Sequence, residues 1–349
     1  MRLTDFDYNL PAELIAQYPS DRRGDDRLLV LDRDRGSFEE APFGEIAGFF
    51  RRGDLLVLND TRVIPARIYG KRRSGGRVEI FVIDRTKAPV EALVRPSGRI
   101  KDGETIELDS GDQATVMGRT GIGRLVEFHA PVDDVIMRAG RVPLPPYISR
   151  PAEKSDEERY QTIYARHEGA TASPTAGLHF TDEIFNALDG IGVERVFVTL
   201  HVSYGTFAPV KTDEVELHKM HSEYYRISGD SLLRIKKAKN DKRRVIACGT
   251  TSVRALETCA DRIDDFMEGA DRYGEEGPRE LSGFSDMFIY PGYRFRVVNA
   301  MITNFHLPKS TLMLLTGAFA GRDLLFKAYE YAIGAKFRFF SYGDAMMIV

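Results

Sequence analysis

The sequence predicts a mixed α/β fold: a large α/β domain built from both chain ends, residues 1–64 and 147–349, with a small β-barrel-like domain, residues 65–146, inserted near its start. Three observations predict it. From Pro65 to about Pro145 apolar residues recur with a period of two, in short runs separated by Gly, Asp or Pro; that is the signature of a barrel or sandwich. Beyond the proline cluster VPLPPYISRP, Val142 to Pro151, strand-like and helix-like segments alternate. Before Pro65 the chain mixes short strands with turns.

Taken in order, RLLVLDRDRG, Arg27 to Gly36, reads as a strand entering a turn, and DLLVLNDTRV, Asp54 to Val63, as a buried strand leaving into a polar loop. The inserted region offers ARIYG, RVEIFVID, EALVR, ETIEL, ATVMG and RLVEF as six short strands. After the boundary, Thr181 can cap a helix with Asp182 and Glu183 in its first turn and Gly190 as its stop, because the first amides of a helix need acceptors and its positive end favours carboxylates. VERVFVTLHV, Val193 to Val202, reads as a strand, SLLRIKKAKN as a basic helix, and RRVIAC as a strand running into the helix opened by GTTSVRALE. Asp261 to Arg279 is acidic and contains glycines, a helix end and surface loop. RFRVVNAMIT, Arg294 to Thr303, reads as a strand. Ser310 can cap the helix TLMLLTGAFA, and a last helix runs from about Arg322 to Ile333. No internal repeat is visible.

With 349 residues, 43% hydrophobic and 29% charged, the composition is that of a globular protein larger than one small domain. Two cysteines, Cys248 and Cys259, cannot build a disulfide framework or a four-thiolate zinc site, which points to a reducing compartment. The N-terminus lacks the apolar run of a signal peptide, and the longest apolar stretch near the C-terminus is shorter than the ~20 residues a bilayer requires. The expected location is the cytoplasm, with no membrane partner. The net charge of −3 argues against a dedicated nucleic-acid-binding domain. Yet seven cations lie between Arg234 and Arg244, among them Lys236, Lys237, Lys239 and Arg243, and a smaller cluster spans Lys71 to Arg73. Either a solvated helix face or a phosphate-tracking surface accounts for such a run.

Four segments place polar and aromatic residues where strands end, the location of ligands in open α/β sheets. SPTAGLHFT, Ser173 to Thr181, carries His179 and Phe180 before a helix. LHVSYGTF, Leu200 to Phe207, carries His201, Thr206 and Phe207. ACGTTSVRALE, Ala247 to Glu257, joins a strand through Gly249 to Thr250, Thr251, Ser252 and Arg254 at a helix start, where free amides suit an anion. TNFHLPKST, Thr303 to Thr311, carries Asn304, Phe305, His306 and Lys309. Each has a plainer reading: the hydroxyls cap the helix, the phenylalanines belong to the core, and His306 is a satisfied loop histidine. His218 and His221 are three apart, a spacing that permits a metal site but lacks the metalloprotease pattern; no metal site is expected. GIGRLV at Gly121 precedes a strand and is no dinucleotide fingerprint, and neither a GxSxG elbow nor a Walker loop is present.

The ordered string of motifs resembles the S-adenosylmethionine:tRNA ribosyltransferase-isomerase family of queuosine biosynthesis. The likeness runs through DLLVLNDTRVIPAR, SGGRVEIFV, EALVRPSGRIKDG, LPPYI, ERYQTIYA, PTAGLHFT, LHV..GTF, MHSEYY, GTTSVRALE, FIYPGY, TNFHLPKSTLMLL and FRFFSYGDAM. Two departures are visible: Ser173 stands where the family has a small apolar residue, and Ser203 where it has glycine. The resemblance implies that the ribosyl moiety of S-adenosylmethionine, a co-substrate and not a tightly bound cofactor, is transferred to 7-aminomethyl-7-deazaguanine at the wobble position of tRNA and isomerised. Epoxyqueuosine-tRNA forms, and adenine and methionine leave. Such chemistry needs a base for a proton beside the sulfonium and an acid for departing adenine. His179, His201 and His306 are the candidates, without division of roles. Phe180, Phe207 and Phe305 offer faces to a cation and to purine-like rings. Gly249, Thr250, Thr251 and Ser252 with Arg254 suit the methionine carboxylate or a tRNA phosphate. Thr206, Asn304 and Lys309 join the substrate-binding set, and Asp344 can hold a ribose hydroxyl or the cationic amine. Lys236, Lys237, Lys239 and Arg243 are the expected tRNA contacts, and the protein is expected to act as a monomer. Two rivals stand beside this reading: a hydrolase using His218 and His221, which a chelator would inactivate, and a tRNA-binding scaffold without activity.

Overall fold

The computed structural model of the protein describes residues 1–203, 210, 212–269 and 280–349, with the backbone alone for 265–269. Its spine is a nine-stranded sheet in the order Glu280–Ser285, Glu223–Ser228, Glu194–Leu200, Leu55–Asn59, Val245–Cys248, Ala300–Asn304, Ala345–Ile348, Arg27–Asp32, Ser37–Pro42. The four strands from Glu194–Leu200 to Ala300–Asn304 run parallel. Ala345–Ile348 turns against them. Leu55–Asn59, Val245–Cys248 and Ala300–Asn304 are buried along their whole length, as near-continuous apolar runs covered on both faces must be. Two apolar clusters result, one on each face.

The helix signals work locally as their chemistry requires. Thr181 accepts the Ile184 amide at the start of Asp182–Gly190, and Ser310 accepts the Met313 amide at the start of Thr311–Ala320. The second helix is buried on almost every side because its sequence is apolar all round. Among the described residues, no helix is long and apolar enough to cross a membrane.

Six antiparallel strands, Arg67–Arg72, Arg77–Asp84, Val90–Arg95, Glu104–Leu108, Gln113–Arg119 and Arg124–Phe128, close into a barrel. Its interior holds Ile68, Ile80, Val94, Ile106, Val116 and Val126 among others, and the helix Val132–Ala139 seals it with Val135 and Ile136. At Gly140, where this helix returns to the main domain, an added Cβ would lie 2.1 Å from the Pro65 carbonyl oxygen and 2.4 Å from that of Ile136. Both obstacles are backbone, so Gly140→Ala is expected to cost ~1–3 kcal/mol, read as a lowered Tm in a thermal melt. An unchanged Tm would show that this junction yields freely.

One expected strand is shorter than its pattern. Only Ala300–Asn304 pairs. The amides of Arg296, Val297 and Val298 are taken instead by the buried Glu257 carboxylate at 2.9–3.0 Å, because an isolated buried carboxylate must find donors. Ser37–Pro42, Glu223–Ser228, Glu280–Ser285 and Ala345–Ile348 carry no strong period of two and are legible only once the sheet is assembled.

Candidate active site

The carboxyl ends of the parallel strands and the loop before Ala345 enclose a cavity of about 300 Å³. Its wall takes Ser173–Ala176 from one loop, Gly249–Thr251 from the next, Thr303–Ser310 from the third, and Phe340 and Ser341 from the segment that precedes the antiparallel strand. Leu3, Tyr147, Val202, Val210 and Leu312 complete it. Of the expected site residues, the fold brings Gly249, Thr250, Thr251, Asn304, Phe305, His306 and Lys309 together here.

His306 is tightly held. Its Nε2 lies 2.8 Å from Thr303 Oγ1, its amide donates to Tyr329 Oη at 2.9 Å, and Tyr8 Oη donates to its carbonyl. Burial pushes the imidazole down to about 3, so it is neutral at any physiological pH. Such a group can accept a proton but does not repel a cation.

His179 stands one layer behind the wall. It is 2% exposed. Its Nδ1 meets Asp26 Oδ2 at 2.6 Å, and Asn304 Nδ2 lies 3.2 Å from its Nε2. Asn304 in turn accepts the Thr175 hydroxyl at 2.7 Å. Asp26 also receives Arg338 at 2.7 Å and the Ser20 hydroxyl. Burial alone would raise its carboxyl, but its contact with His179, together with Ser20 and Arg338, outweighs burial and holds it below the usual range. The chain Asp26–His179–Asn304–Thr175 therefore ends at the cavity in an amide and a hydroxyl, and His179 itself orients Asn304.

Gly249 adopts φ +87° and opens the helix Thr250–Thr258 at the cavity. Thr251 Oγ1 accepts Asn59 Nδ2 at 3.1 Å. Three expected residues turn away. Ser252 donates to the Cys248 carbonyl at 2.7 Å and is fully buried. Arg254 turns from the cavity to the buried Glu223, with which it pairs, and donates to the Met287 carbonyl at 3.2 Å, since a buried charge must be paired. Asp344 accepts the amides of Arg27 at 2.9 Å and Arg338 at 2.7 Å, which uses its carboxylate to fix the loop. Phe180 is core: it stacks on Phe185 at 5.1 Å and meets Phe43 edge-on. Phe305 lies on the cavity wall, yet its ring is packed among Tyr329, Phe337 and Phe339. The aromatic pair that the cavity does offer, Tyr147 and Phe340 at 4.7 Å, was not singled out in the sequence. Phe340 has φ +72°, a strained value for a bulky residue and one that clusters at functional sites. Thr175 and Ser341 were likewise missed, although PTAGLHFT and FRFFSYGDAM contain them.

A second, wider cleft of about 880 Å³ lies between barrel and sheet and shares Val202 with the wall of the first cavity. His201 lines it. Its Nδ1 is 2.7 Å from Thr61 Oγ1, and burial, then the nearby His167 and Arg85, push it down to about 4. Gly169 has to be glycine here, because a Cβ would stand 2.7 Å from the His201 ring. Tyr224 stacks on His201 at 5.7 Å, and Phe284, 72% exposed, meets Tyr224 edge-on at 5.7 Å. Thr206 and Phe207 lie outside the described residues. His218 packs edge-on against Phe288, and among the described residues no group of three His, Cys, Asp or Glu is arranged around a metal ion.

The basic run lines neither of these two concavities, although its first cation, Arg234, lies on a separate groove with Arg166, Arg195 and Arg226. Lys239 pairs with Asp264 and Arg243 with Glu194. Glu194 and Val245 begin their strands, so these cations sit at the amino edge of the parallel strands, the edge opposite the cavity. Lys236 and Lys237 precede them on the helix Gly229–Asn240.

A family model described as "Queuosine biosynthesis protein" matches residues 3–348. The chain belongs to the S-adenosylmethionine:tRNA ribosyltransferase-isomerase family. It is similar to the proteins of that name from Geotalea uraniireducens and Citrifermentans bemidjiense, each 50% identical over the full length of both chains. A solved S-adenosylmethionine tRNA ribosyltransferase from Thermotoga maritima is 35% identical, covers 99% of this chain and all of its own, and superposes with a TM-score of 0.55. Family membership carries the fold and the class of enzyme. The walls of the two concavities carry the residues through which this chain can act.

Proposed function

We propose that the protein transfers the ribosyl moiety of S-adenosylmethionine to the aminomethyl nitrogen of 7-aminomethyl-7-deazaguanine at the wobble position of tRNA and isomerises it, so that epoxyqueuosine-tRNA forms and adenine and methionine leave. The observation that carries the reading is the pair of neighbouring concavities that share Val202 as a wall: a two-substrate transfer needs a closed pocket for a small donor and an open one for a large acceptor. The pocket takes the sulfonium donor. Neutral His306 accepts a proton from the carbon next to sulfur. Tyr147 and Phe340 offer faces to the adenine or the cation. The first amides of Thr250–Thr258, with the Thr250 and Thr251 hydroxyls, receive the methionine carboxylate. Asn304 and Thr175 orient the ribose. The cleft admits the acceptor base, whose ring stacks on the His201–Tyr224–Phe284 ladder.

Incubation with tRNA carrying the aminomethyl precursor and ribosyl-labelled S-adenosylmethionine tests the reading. Free adenine and labelled tRNA are expected together. Binding of both substrates without adenine release would end it. Phe284→Ala is expected to weaken tRNA binding about 5- to 50-fold, the scale of one base stacked on one ring, and to leave donor affinity unchanged. A fluorescence titration with labelled tRNA reads this, and equal affinities would remove Phe284 from the acceptor path.

A further inference from the structure

The enzyme must grip a polyanion, yet the cleft that faces the pocket is acidic. Asp84, Glu91 and Glu168 line it against Arg85, which is tied to Asp133, while Glu223 on the same wall is buried and neutralised by Arg254. RNA phosphates gain nothing there. Immediately beside the cleft is a groove of about 320 Å³ with the opposite balance. Arg166, Arg195, Arg226 and Arg234 line it together with His167, against Asp60 and Asp230. The two are consecutive along one strand face. Side chains alternate in a strand. Arg195, Phe197 and Thr199 of Glu194–Leu200 therefore face the groove, and the same face brings His201 to the cleft two residues, about 7 Å, further on. The strand His167–Ala170 divides them, with His167 on the groove and Glu168 and Gly169 on the cleft.

We infer that this arginine groove binds the phosphate backbone of the RNA whose base enters the neighbouring cleft. Arginine's planar fork matches phosphate in two hydrogen bonds. Arg166 is exposed and lies over the Phe197 ring at 5.0 Å, which holds the guanidinium without using a carboxylate. Arg195, Arg226 and Arg234 carry the carboxylates Asp189, Glu280 and Asp230, all pairs at the surface. Exposed pairs of this kind contribute little and are exchanged readily for phosphate. Asp60 opposes an anion weakly: Thr199 Oγ1 donates to it at 2.7 Å, and burial pushes its carboxyl up, so that it takes a proton more readily than an ordinary aspartate. The inference rests on tRNA being the acceptor.

The experiment is tRNA binding as a function of salt, followed by fluorescence anisotropy. It compares the unmutated protein, Arg166→Ala with Arg226→Ala, the same two positions changed to lysine, and Lys236→Ala with Lys237→Ala on the basic helix. Each phosphate contact contributes about 0.7–0.9 to the slope of log K against log salt. The alanine pair at the groove is expected to lower affinity roughly 10- to 30-fold at low salt and to flatten that slope by about 1.5. The lysine pair keeps the slope and loses part of the affinity, since charge survives and the fork does not. S-adenosylmethionine affinity stays within two-fold in all variants. A groove pair with the slope of the unmutated protein overturns the inference, as does a larger loss in the helix pair. If the unmutated protein neither binds nor modifies precursor tRNA, the proposed function itself fails and the inference falls with it. Full modification alongside an unchanged groove slope overturns only the groove.

Discussion

Replacing His306 by alanine is expected to lower kcat about 100- to 10,000-fold, the usual worth of one positioned proton-transfer group. The imidazole is on the cavity wall, buried, and fixed at Nε2 by Thr303. With its ionisation held near 3, it stays in the base form throughout the working range. The pH profile of kcat should therefore show no inflection from this residue between pH 5 and 9. The same shift has a consequence for stability. The folded-state value lies below the ordinary 6.5, so the folded protein binds fewer protons than the unfolded chain. Stability is then complete above about pH 6.5 and falls as pH drops toward 3, by at most ~1.4 kcal/mol per unit from this group. His306→Ala should show a shallower acid decline in thermal melts at pH 7, 6 and 5. His129→Ala, on the barrel, where the ring meets Thr115 at 2.9 Å on the surface, should leave kcat unchanged. A His306 variant that turns over at the unmutated rate would sink the assignment.

Much of the fold was readable because its signals are local. The barrel strands announce themselves by alternation, and Thr181 and Ser310 cap their helices with their own hydroxyls. The site was readable as loops, less so as side chains. Motif spacing placed Gly249, Thr251, Asn304 and His306 near one another, but which way each side chain faces depends on partners remote in sequence. Arg254 faces Glu223, and Asp344 faces the amides of Arg27 and Arg338. Tyr147 and Phe340 become a pair only when residues 193 positions apart meet. The basic run shows a related dependence. A count of cations along a helix ignores acidic partners on other elements, here Asp264 and Glu194, and it does not say which edge of the sheet the helix end reaches.

His179→Ala is expected to reduce kcat roughly 100-fold, by a route different from that of His306. The histidine orients the Asn304 amide through its Nε2, while Asp26 at Nδ1 fixes which ring nitrogen carries the proton. With the ring gone, the amide that faces the cavity loses its histidine partner at Nδ2 and is held mainly by the Thr175 hydroxyl. Misplacing a group by about 1 Å can cost on the order of 100-fold. A positioning role makes two demands that a base would not meet. First, the pH profile of the residual activity should keep the shape of the unmutated enzyme. Second, the effects should not add. Groups acting through one another show strong coupling, so His179→Ala with Asn304→Ala should be no slower than Asn304→Ala alone. Asp26→Asn should fall between, because it leaves the ring in place and weakens the hold on its tautomer. The measurement is a double-mutant cycle on kcat with donor and tRNA saturating. Losses that multiply across the pair would mean that His179 reaches the substrate by a path of its own, and the chain from Asp26 to the cavity would then be only structural.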